Sequence, residues 1–153
     1  MYRRKKDYRL LLIEDNAADV HLFQELIANV AKPVTVEIMK DGESASDFLF
    51  HSAVNDRTSL PDLIIMDLNL PRKDGQTLLR ELKAHRDLCR IPIVILSTSN
   101  SSGEICEAYA LGAGAFVPKP TDIAEFQSVL KALIDFYFGA VALCSHDSRP
   151  ATP

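Results

Sequence analysis

The sequence predicts an α/β fold in which five parallel strands are covered by helices on both faces. One observation behind this prediction is that short apolar runs, typical of strands, alternate five times with segments whose apolar residues recur at helical spacing. A second is that glycine, proline, aspartate and asparagine separate these segments, as expected for turns. With 153 residues and no internal repeat, the chain is long enough for one domain with a proper core.

The five predicted strands are apolar runs bounded by polar or turn-forming residues. The first and the third are continuous apolar runs, which are typical of buried strands. The second alternates apolar and polar residues, as an edge strand with one wetter face does. The predicted strands span residues 10–14, 34–38, 63–66, 93–96 and 115–118.

The predicted helices follow from apolar residues three and four positions apart and from the residues that flank them. Residues 17–31 have apolar side chains at this spacing, with Pro33 beyond the predicted end. A turn at residues 41–42 opens the second helix, which a polar loop at residues 52–61 follows. The fifth helix is expected over about residues 121–138. The third and fourth helices are recognised by Leu78, Leu79 and Leu82, and by Ile105, Ala108 and Leu111.

Composition argues against several classes of function. Hydrophobic residues make up 47% of the chain and charged residues 25%, and the net charge of -4 gives no sign of non-specific nucleic-acid binding. No apolar run reaches the ~20 residues of a membrane span, and acidic residues interrupt the apolar stretch near the N-terminus. We therefore expect no membrane contact and no signal peptide. Three scattered cysteines fit a reducing cytosol and predict a cytoplasmic protein.

Two short terminal segments flank the predicted domain, which spans residues 9–139. Residues 1–8 contain a basic cluster and are expected to form a solvated arm. Residues 140–153 are expected to form a flexible tail, because the part after Leu143 is polar and includes two prolines. No other residue type converges on the histidines in sequence, so we expect them at the surface: His21, His51, His85 and His146.

Acidic residues follow two of the predicted strands. Glu14 and Asp15 come at the end of the first strand, and Asp67 follows the third. Carboxyl ends of neighbouring parallel strands share one crevice, where open α/β sheets bind ligands. Each acid alone is better explained by a helix cap, but three carboxylates together predict a site for Mg²⁺ or Mn²⁺, which prefer oxygen ligands. The backbone carbonyl of Asn69 is expected to complete this site.

Asp67 is also the candidate nucleophile, because an ionised carboxylate can accept a phosphoryl group and form an aspartyl phosphate. Lys119, which follows the last strand, would pair with one phosphoryl oxygen. Ser97 or Thr98, at the end of the fourth strand, would donate a hydrogen bond to another oxygen. Pro120 is a candidate cis proline that would fix the backbone of the lysine near the site.

Four sequence blocks resemble, in their order and spacing, the response-regulator receiver domain of two-component signalling. The resemblance covers roughly residues 8–138. It implies a flavodoxin-like, doubly wound sheet with the strand order 2-1-3-4-5. The blocks are LIEDN at 12–16, DLNLP with DG at 67–75, ST at 97–98 and KP at 119–120.

The resemblance assigns roles to five of these residues. It implies that Asp67 accepts the phosphoryl group, and that Glu14 and Asp15 hold Mg²⁺. It further implies that Ser97 is a switch residue whose hydroxyl moves towards the phosphoryl group. Lys119 is implied to pair with the phosphate.

An aromatic switch position of the family matches Phe116 in the fifth predicted strand. In the family this ring tends to turn inward when the hydroxyl residue moves towards the phosphoryl group. Phe116 has no hydroxyl, so it would report the change by packing alone. The alternative is that Phe116 is an ordinary core residue.

A narrower resemblance is to the small regulators that partner bacterial phytochrome histidine kinases, and residues 69–75, 96–100 and 136–139 carry it. It implies that a histidine kinase, a bacteriophytochrome, donates the phosphoryl group. We therefore expect a single-domain response regulator that is no enzyme, although it assists its own phosphorylation and dephosphorylation. It would signal through a surface of helix 4, strand 5 and helix 5.

The fifth predicted helix has more apolar surface than it needs to cover the sheet. A helix that is apolar over more than one face needs a second partner. We therefore expect a homodimer with two-fold symmetry built on this helix. The alternative is that the phenylalanines at its end fold back on their own domain. The predicted dimer residues are Val129, Ala132, Phe136, Tyr137 and Phe138.

Three other functions are alternatives to a single-domain response regulator. A Mg²⁺-dependent phosphatase with an aspartyl-phosphate intermediate typically has a second aspartate two residues after the nucleophile, where this chain has Asn69. A flavodoxin-like binding protein is disfavoured, because the carboxylates of the crevice would repel the phosphate of a flavin. A scaffold without phosphoryl transfer is disfavoured because Asp67 and Lys119 are both present.

Overall fold

The computed structural model describes Tyr2, Lys5 and residues 7–146, and its centre is a sheet of five parallel strands in the order β2-β1-β3-β4-β5. This order confirms the predicted doubly wound α/β fold. The first strand begins two residues earlier than predicted, and the other strands agree within one residue. The strands are β1 Tyr8–Ile13, β2 Val34–Met39, β3 Leu63–Met66, β4 Ile93–Ser97 and β5 Ala115–Pro118.

Within the described part of the chain, five α-helices connect and follow the strands, and each begins after a side chain that accepts a hydrogen bond from the first turn. The capping residues are Asn16, Asp41, Asp74, Ser101 and Asp122. Among the described helices, none has the length and apolar character that crossing a membrane requires. The helices are α1 Ala17–Ala28, α2 Gly42–Asn55, α3 Gly75–Ala84, α4 Ser102–Ala110 and α5 Ile123–Asp135.

Three helices differ in length from the prediction. α1 ends three residues early, with Asn29 as its C-cap. α2 runs through the first part of the predicted loop, because Ser52 and Ala53 continue its buried face one turn beyond Leu49. Because Ser52 is polar, a prediction based on the spacing of apolar residues does not extend the buried face of α2 to this turn. α5 ends at Asp135 and passes into a π-helical turn, Phe136–Ala140.

Each face of the sheet buries its own apolar layer, because successive strand residues point to opposite faces. Leu11 and Ile13 of β1 point into the layer covered by α2, α3 and α4. Leu10 and Leu12 point into the layer covered by α1 and α5. The edge strand β2 alternates half-buried and exposed residues along most of its length, as predicted.

The topology places a crevice between β1 and β3. The chain winds from β1 to β2 on one side and from β3 to β4 on the other, so the connections leave these two central strands in opposite directions. Ile13 and Met66, the last residues of β1 and β3, are paired in the register. The residues that follow them, Glu14 and Asp67, are therefore neighbours at the ligand-binding edge of the sheet.

The end of α5 packs partly against its own domain. Phe138 and Tyr137 are both buried, with 2% and 8% of their surface exposed. The ring of Phe138 stacks on that of Tyr8, with the ring centroids 4.5 Å apart. The prediction that Tyr137 and Phe138 belong to a dimer surface is therefore wrong, because their rings fill the layer beneath α5. Phe136 points outward and is 53% exposed, so the folding-back alternative holds for Phe138 and not for Phe136.

The chain after the π-helical turn lies against the amino-terminal end of the sheet. His146 is buried, its Nε2 lies 2.8 Å from the carbonyl oxygen of Pro61, and its own carbonyl accepts a hydrogen bond from Arg57 Nε at 2.9 Å. The prediction that His146 is a surface residue is therefore wrong; His21 and His51 are exposed. The rest of the predicted tail, residues 147–153, and residues 1, 3, 4 and 6 of the predicted arm lie outside the described residues.

Candidate functional site

The three acidic residues predicted to form a metal site converge at the carboxyl ends of β1 and β3. One carboxylate oxygen each from Glu14, Asp15 and Asp67 lies within 4.8 Å of the other two. Glu14 and Asp67 are buried, whereas Asp15 is exposed and opens the cluster to solvent. The structure therefore brings these side chains together as predicted.

The donor set fits a hard divalent cation. Carboxylate oxygens are the ligands that Mg²⁺ and Mn²⁺ favour, and Mg²⁺ usually keeps several waters, for which the open side at Asp15 leaves room. Three negative charges at this separation repel one another, and a cation between them would remove that repulsion. The backbone of Asn69 lies beside the cluster, because its N–H donates to Asp67 Oδ1 at 3.1 Å. The role of its carbonyl as a ligand stays a prediction.

The Lys119 ammonium is surrounded by carboxylates. Its Nζ lies 2.8 Å from Glu14 Oε2, 3.0 Å from Asp67 Oδ2 and 3.0 Å from Asp19 Oδ2. The backbone N–H of Lys119 donates to the carbonyl of Ser97 at 2.9 Å, which continues the pairing of β5 with β4 and anchors the lysine at the site. The predicted cis bond before Pro120 is wrong, since no peptide bond among the described residues is cis.

Burial and hydrogen bonding act differently on the ionisable groups of the site. Burial would lower the pKa of Lys119, but its bonds to Glu14 and Asp19 outweigh this effect and raise that pKa well above its usual range. Burial raises the pKa of the Glu14 carboxyl, and the bonds from Lys119 and Asn16 offset only part of the increase. Burial also opposes ionisation of Asp67, but hydrogen bonds from Asn69, Ser97 and Lys119 hold its pKa below the usual range. Asp67 is therefore ionised at neutral pH, as a nucleophile must be.

The hydroxyl at the end of β4 comes from Ser97. Its Oγ is buried and donates to Asp67 Oδ1 at 2.8 Å. Thr98, the other hydroxyl residue at the end of this strand, is exposed to solvent, so the hydroxyl beside Asp67 is the one that the family resemblance names. Because Ser97 Oγ also accepts a hydrogen bond from the N–H of Ser99 at 3.3 Å, its position depends on the loop after β4.

Two polar residues of the site were not predicted from the sequence. Asp19, in the first turn of α1, contacts Lys119, and Ser99 accepts a hydrogen bond from Asn69 Nδ2 at 2.9 Å across the mouth of the site. Asp19 lies only four residues after Asp15, and this closeness in sequence could have drawn attention to it. It was hidden because an acidic residue in a first helical turn is expected for other reasons. Ser99 has no comparable signal, because it is one of several polar residues in its loop.

Phe116 is directed inward in this structure. Its side chain is 9% exposed and packs in the layer beneath α2, α3 and α4. Its backbone N–H donates to Tyr109 Oη at 3.0 Å, so the edge strand β5 is tied to α4 by a tyrosine hydroxyl. The position is compatible with both predicted roles of Phe116, the switch and the ordinary core residue.

Fold and site together define a class of protein. The molecule is a doubly wound α/β domain with an ionised aspartate at the switch point of the sheet. Acidic residues, a lysine and a hydroxyl surround this aspartate. This combination is that of a receiver-type signalling domain, in which the site rather than the widespread fold carries the functional meaning.

Comparison with known proteins leads to the same class. The family model of the response regulator receiver domain matches residues 10–131. The chain is 33% identical over 134 residues to the response regulator Rcp1 of Synechocystis sp., and the match covers 88% of this chain and 91% of Rcp1. The chain therefore belongs to the response-regulator receiver family, as its sequence motifs predict.

Solved structures of similar sequence share the fold over nearly their whole length. The phosphorylated cyanobacterial phytochrome response regulator RcpA is 35% identical, with a TM-score of 0.84 over 91% of this chain and 99% of RcpA. The Mn²⁺-bound form of Rcp1 is 31% identical, with a TM-score of 0.81 over 90% of this chain and 99% of that chain. Response regulator RPA3017, described in red light signalling of R. palustris, is 28% identical with a TM-score of 0.79 over 90% of this chain and 98% of that chain.

Proposed function

We propose that this response regulator accepts a phosphoryl group from the phosphohistidine of a histidine kinase onto Asp67. The observation that carries the proposal is the set of contacts on the Asp67 carboxylate. Its Oδ1 accepts hydrogen bonds from Ser97 and Asn69, and its Oδ2 accepts one from Lys119. These contacts orient an ionised nucleophile at the edge where the sheet binds ligands.

In the proposed transfer, an oxygen of Asp67 attacks phosphorus and the bond between phosphorus and the kinase histidine nitrogen breaks. The electron pair of that bond returns to the imidazole. The Lys119 ammonium attracts one phosphoryl oxygen, and the Ser97 hydroxyl donates to another. Hydrolysis of the acyl phosphate in the same site restores the carboxylate, so the domain assists its own phosphorylation and dephosphorylation and turns over no separate substrate.

A divalent cation is part of the proposal. Mg²⁺ or Mn²⁺ would be held by the carboxylates of Glu14, Asp15 and Asp67 and by the carbonyl of Asn69. When bound, it supplies positive charge that lets an anionic donor approach an acidic site. The Mn²⁺-bound structure of Rcp1 and the oxygen cluster of this chain support this assignment.

Intact-mass analysis tests the acceptor. With acetyl phosphate and Mg²⁺, we expect the parent to gain the mass of one phosphoryl group and Asp67→Asn to gain none. Asp74→Asn is the matched control, because Asp74 is an exposed cap of α3 that asparagine can replace, and it should behave as the parent. An adduct of equal yield in Asp67→Asn would place the acceptor elsewhere.

We further propose that the donor is a bacterial phytochrome histidine kinase and that the exchange takes place in the cytoplasm. The support is that RcpA is named as a phytochrome response regulator and RPA3017 is placed in red light signalling. A phosphorylated bacteriophytochrome should transfer its phosphoryl group to the parent and not to Asp67→Asn. Absence of transfer to a parent protein that acetyl phosphate does modify would contradict this choice of donor.

The proposed output surface consists of α4, β5 and α5. Ser97 contacts Asp67 at the end of β4, and β4 pairs with β5, so a movement of Ser97 towards a phosphoryl group would act on its neighbouring strand. The hydrogen bond from the Phe116 N–H to Tyr109 Oη would carry the change to α4. The effect on partners would then arise as a shift between two packings of this surface.

A homodimer on α5 remains part of the proposal with a reduced set of residues. Val129, Ala132 and Phe136 follow one another at helical spacing, and they are half-buried, exposed and exposed in that order. We expect Phe136→Asp to elute as a monomer in size-exclusion chromatography where the parent elutes as a dimer. Gln127→Asp, at another exposed position of α5, should leave the parent's elution unchanged. An unchanged dimer in Phe136→Asp would refute the interface.

A further inference from the structure

We propose that Asp19 is a positioning residue of the phosphoryl site, which holds the Lys119 ammonium and reduces the positive charge that it presents to an anionic phosphoryl donor. The inference rests on the proposed function of Asp67 as the acceptor. Asp19 is an acidic residue in the first turn of α1. Its Oδ2 lies 3.0 Å from Lys119 Nζ, although the two residues are 100 positions apart in sequence.

The first step of the argument is the hydrogen-bonding capacity of the lysine. An ammonium has three N–H donors, and three carboxylates lie within bonding distance of Lys119 Nζ: those of Glu14, Asp19 and Asp67. The Lys119 side chain is 7% exposed, and those of Glu14 and Asp67 are 4% and 7% exposed, whereas that of Asp19 is 31% exposed. Asp19 therefore forms the outer wall of the lysine's pocket.

The second step separates Asp19 from the other two carboxylates. Glu14 and Asp67 belong to the oxygen cluster that fits a cation, together with Asp15, and Asp19 stands outside that cluster. If Glu14 and Asp67 held a cation, or Asp67 carried a phosphoryl group, their hydrogen bonds to Lys119 would weaken. Asp19 belongs neither to the cation cluster nor to the phosphoryl acceptor, so its hydrogen bond to the Lys119 ammonium would remain in every state of the site.

The third step is the charge of the site. Four carboxylates and one ammonium carry a formal charge of −3, which a divalent cation reduces to −1. Replacing Asp19 by the isosteric asparagine would make these values −2 and zero, while its amide oxygen can still accept a hydrogen bond from Lys119. The negative charge of Asp19 thus strengthens attraction of a cation and weakens attraction of an anionic donor.

A helix-stabilising role is the simpler explanation of an acid at this position. A negative charge in the first turn interacts favourably with the helix dipole. The cap of α1, however, is the Asn16 side chain, which accepts from the N–H of Asp19 and leaves the Asp19 carboxylate bonded to Lys119. A residue that served α1 alone would affect stability without altering cation affinity and phosphorylation in opposite directions.

The test compares Asp19→Asn with the parent in two measurements. Titration with Mn²⁺, followed by the relaxation rate of water protons, should show a Kd that is about 3- to 10-fold higher in the variant, as expected for loss of one charge a few ångströms away near a protein surface. Phosphorylation by acetyl phosphate at saturating Mn²⁺, followed by intact mass, should be faster by about the same factor. Asp19→Glu keeps the charge and should restore both values towards those of the parent.

Glu25→Gln is the matched control, because Glu25 is an exposed acid further along α1 that pairs with His21. It changes the net charge equally and should leave both measurements as in the parent. The inference is overturned if Asp19→Asn matches the parent in Mn²⁺ affinity, if its phosphorylation is unchanged or slower, or if Glu25→Gln gives the same shifts. Failure of the proposed function looks different, since it appears as a phosphoryl adduct on Asp67→Asn, whereas Mn²⁺ affinity reports on Asp19 before any transfer.

Discussion

Replacing Lys119 by methionine removes one ammonium that three carboxylates share and leaves a side chain of similar length in its place. Glu14 and Asp67, which are both buried, then lose their cationic partner. Breaking a buried ion pair in this way costs about 3–5 kcal/mol, and the open side of this site reduces the expected loss of unfolding free energy to about 2–4 kcal/mol at pH 7 without divalent ions.

The loss should become smaller at lower pH, because Glu14 can be neutralised by a proton. Burial already raises the pKa of the Glu14 carboxyl above 4.5 in the parent, and loss of Lys119 raises it further. Between pH 4.5 and the folded-state pKa, the native protein binds more protons at this group than the unfolded chain does. The free energy of unfolding therefore increases as the pH falls towards 4.5 and decreases as the pH rises through the folded-state pKa.

Urea denaturation with EDTA present, at pH 7 and at pH 5, measures this effect. The control is Lys131→Met, because Lys131 is 80% exposed and lies 3.8 Å from Asp135 on the surface of α5. Such a pair contributes little, and we expect a change of less than about 0.5 kcal/mol at both pH values. The interpretation that buried carboxylates depend on Lys119 would be refuted by either of two results. One is a decrease in the free energy of unfolding of Lys119→Met as small as that of the control, and the other is an equal decrease at pH 7 and at pH 5.

Three further changes probe the site and the fold. Ser97→Ala removes a buried hydrogen bond to the ionised Asp67 and should lower the free energy of unfolding by about 1.5–3 kcal/mol in urea denaturation; an unchanged value would contradict the bond. Burial lowers the pKa of His146, so the native state binds fewer protons than the unfolded chain and loses stability as the pH falls below 6.5. The free energy of unfolding of His146→Gln should therefore fall less than that of the parent between pH 7 and pH 5.5. An identical dependence on pH in the two proteins would argue against the burial of His146. Gly112→Ala should destabilise by about 1–3 kcal/mol because Gly112 has a φ of 106°, whereas Gly103→Ala, in open space within α4, should stabilise slightly in the same assay.

The sequence was sufficient where function depends on residues that directly follow predicted strands. Glu14, Asp67 and Lys119 each come after an apolar run, and parallel pairing brings such positions to one edge. The same logic selected the end of β4 but left Ser97 and Thr98 open, and only the resemblance to the receiver family named Ser97. That choice depends on which of two successive side chains points inward, which a shift of one residue reverses.

Contacts between distant elements were beyond the reach of the sequence. Asp19 meets Lys119 because the first turn of α1 faces the loop that follows β5, and His146 is buried because the chain returns to the loop before β3. The dimer prediction erred at Phe138 for a related reason. Apolar character marks a residue for burial, but only the packing of Tyr8 shows that the burial occurs within one chain.

The sequence by itself determined the α/β class, the order of the elements and the chemical character of the acidic crevice, because local apolar periodicity and strand-end residues encode them directly. Tertiary structure alone decided which oxygen faces which donor, how ionised Glu14 and Asp67 are, and which aromatic side chains of the last helical turns remain exposed. These properties depend on distances of a few ångströms between segments far apart in the chain, and hydrogen-bond geometry and burial change steeply over that range.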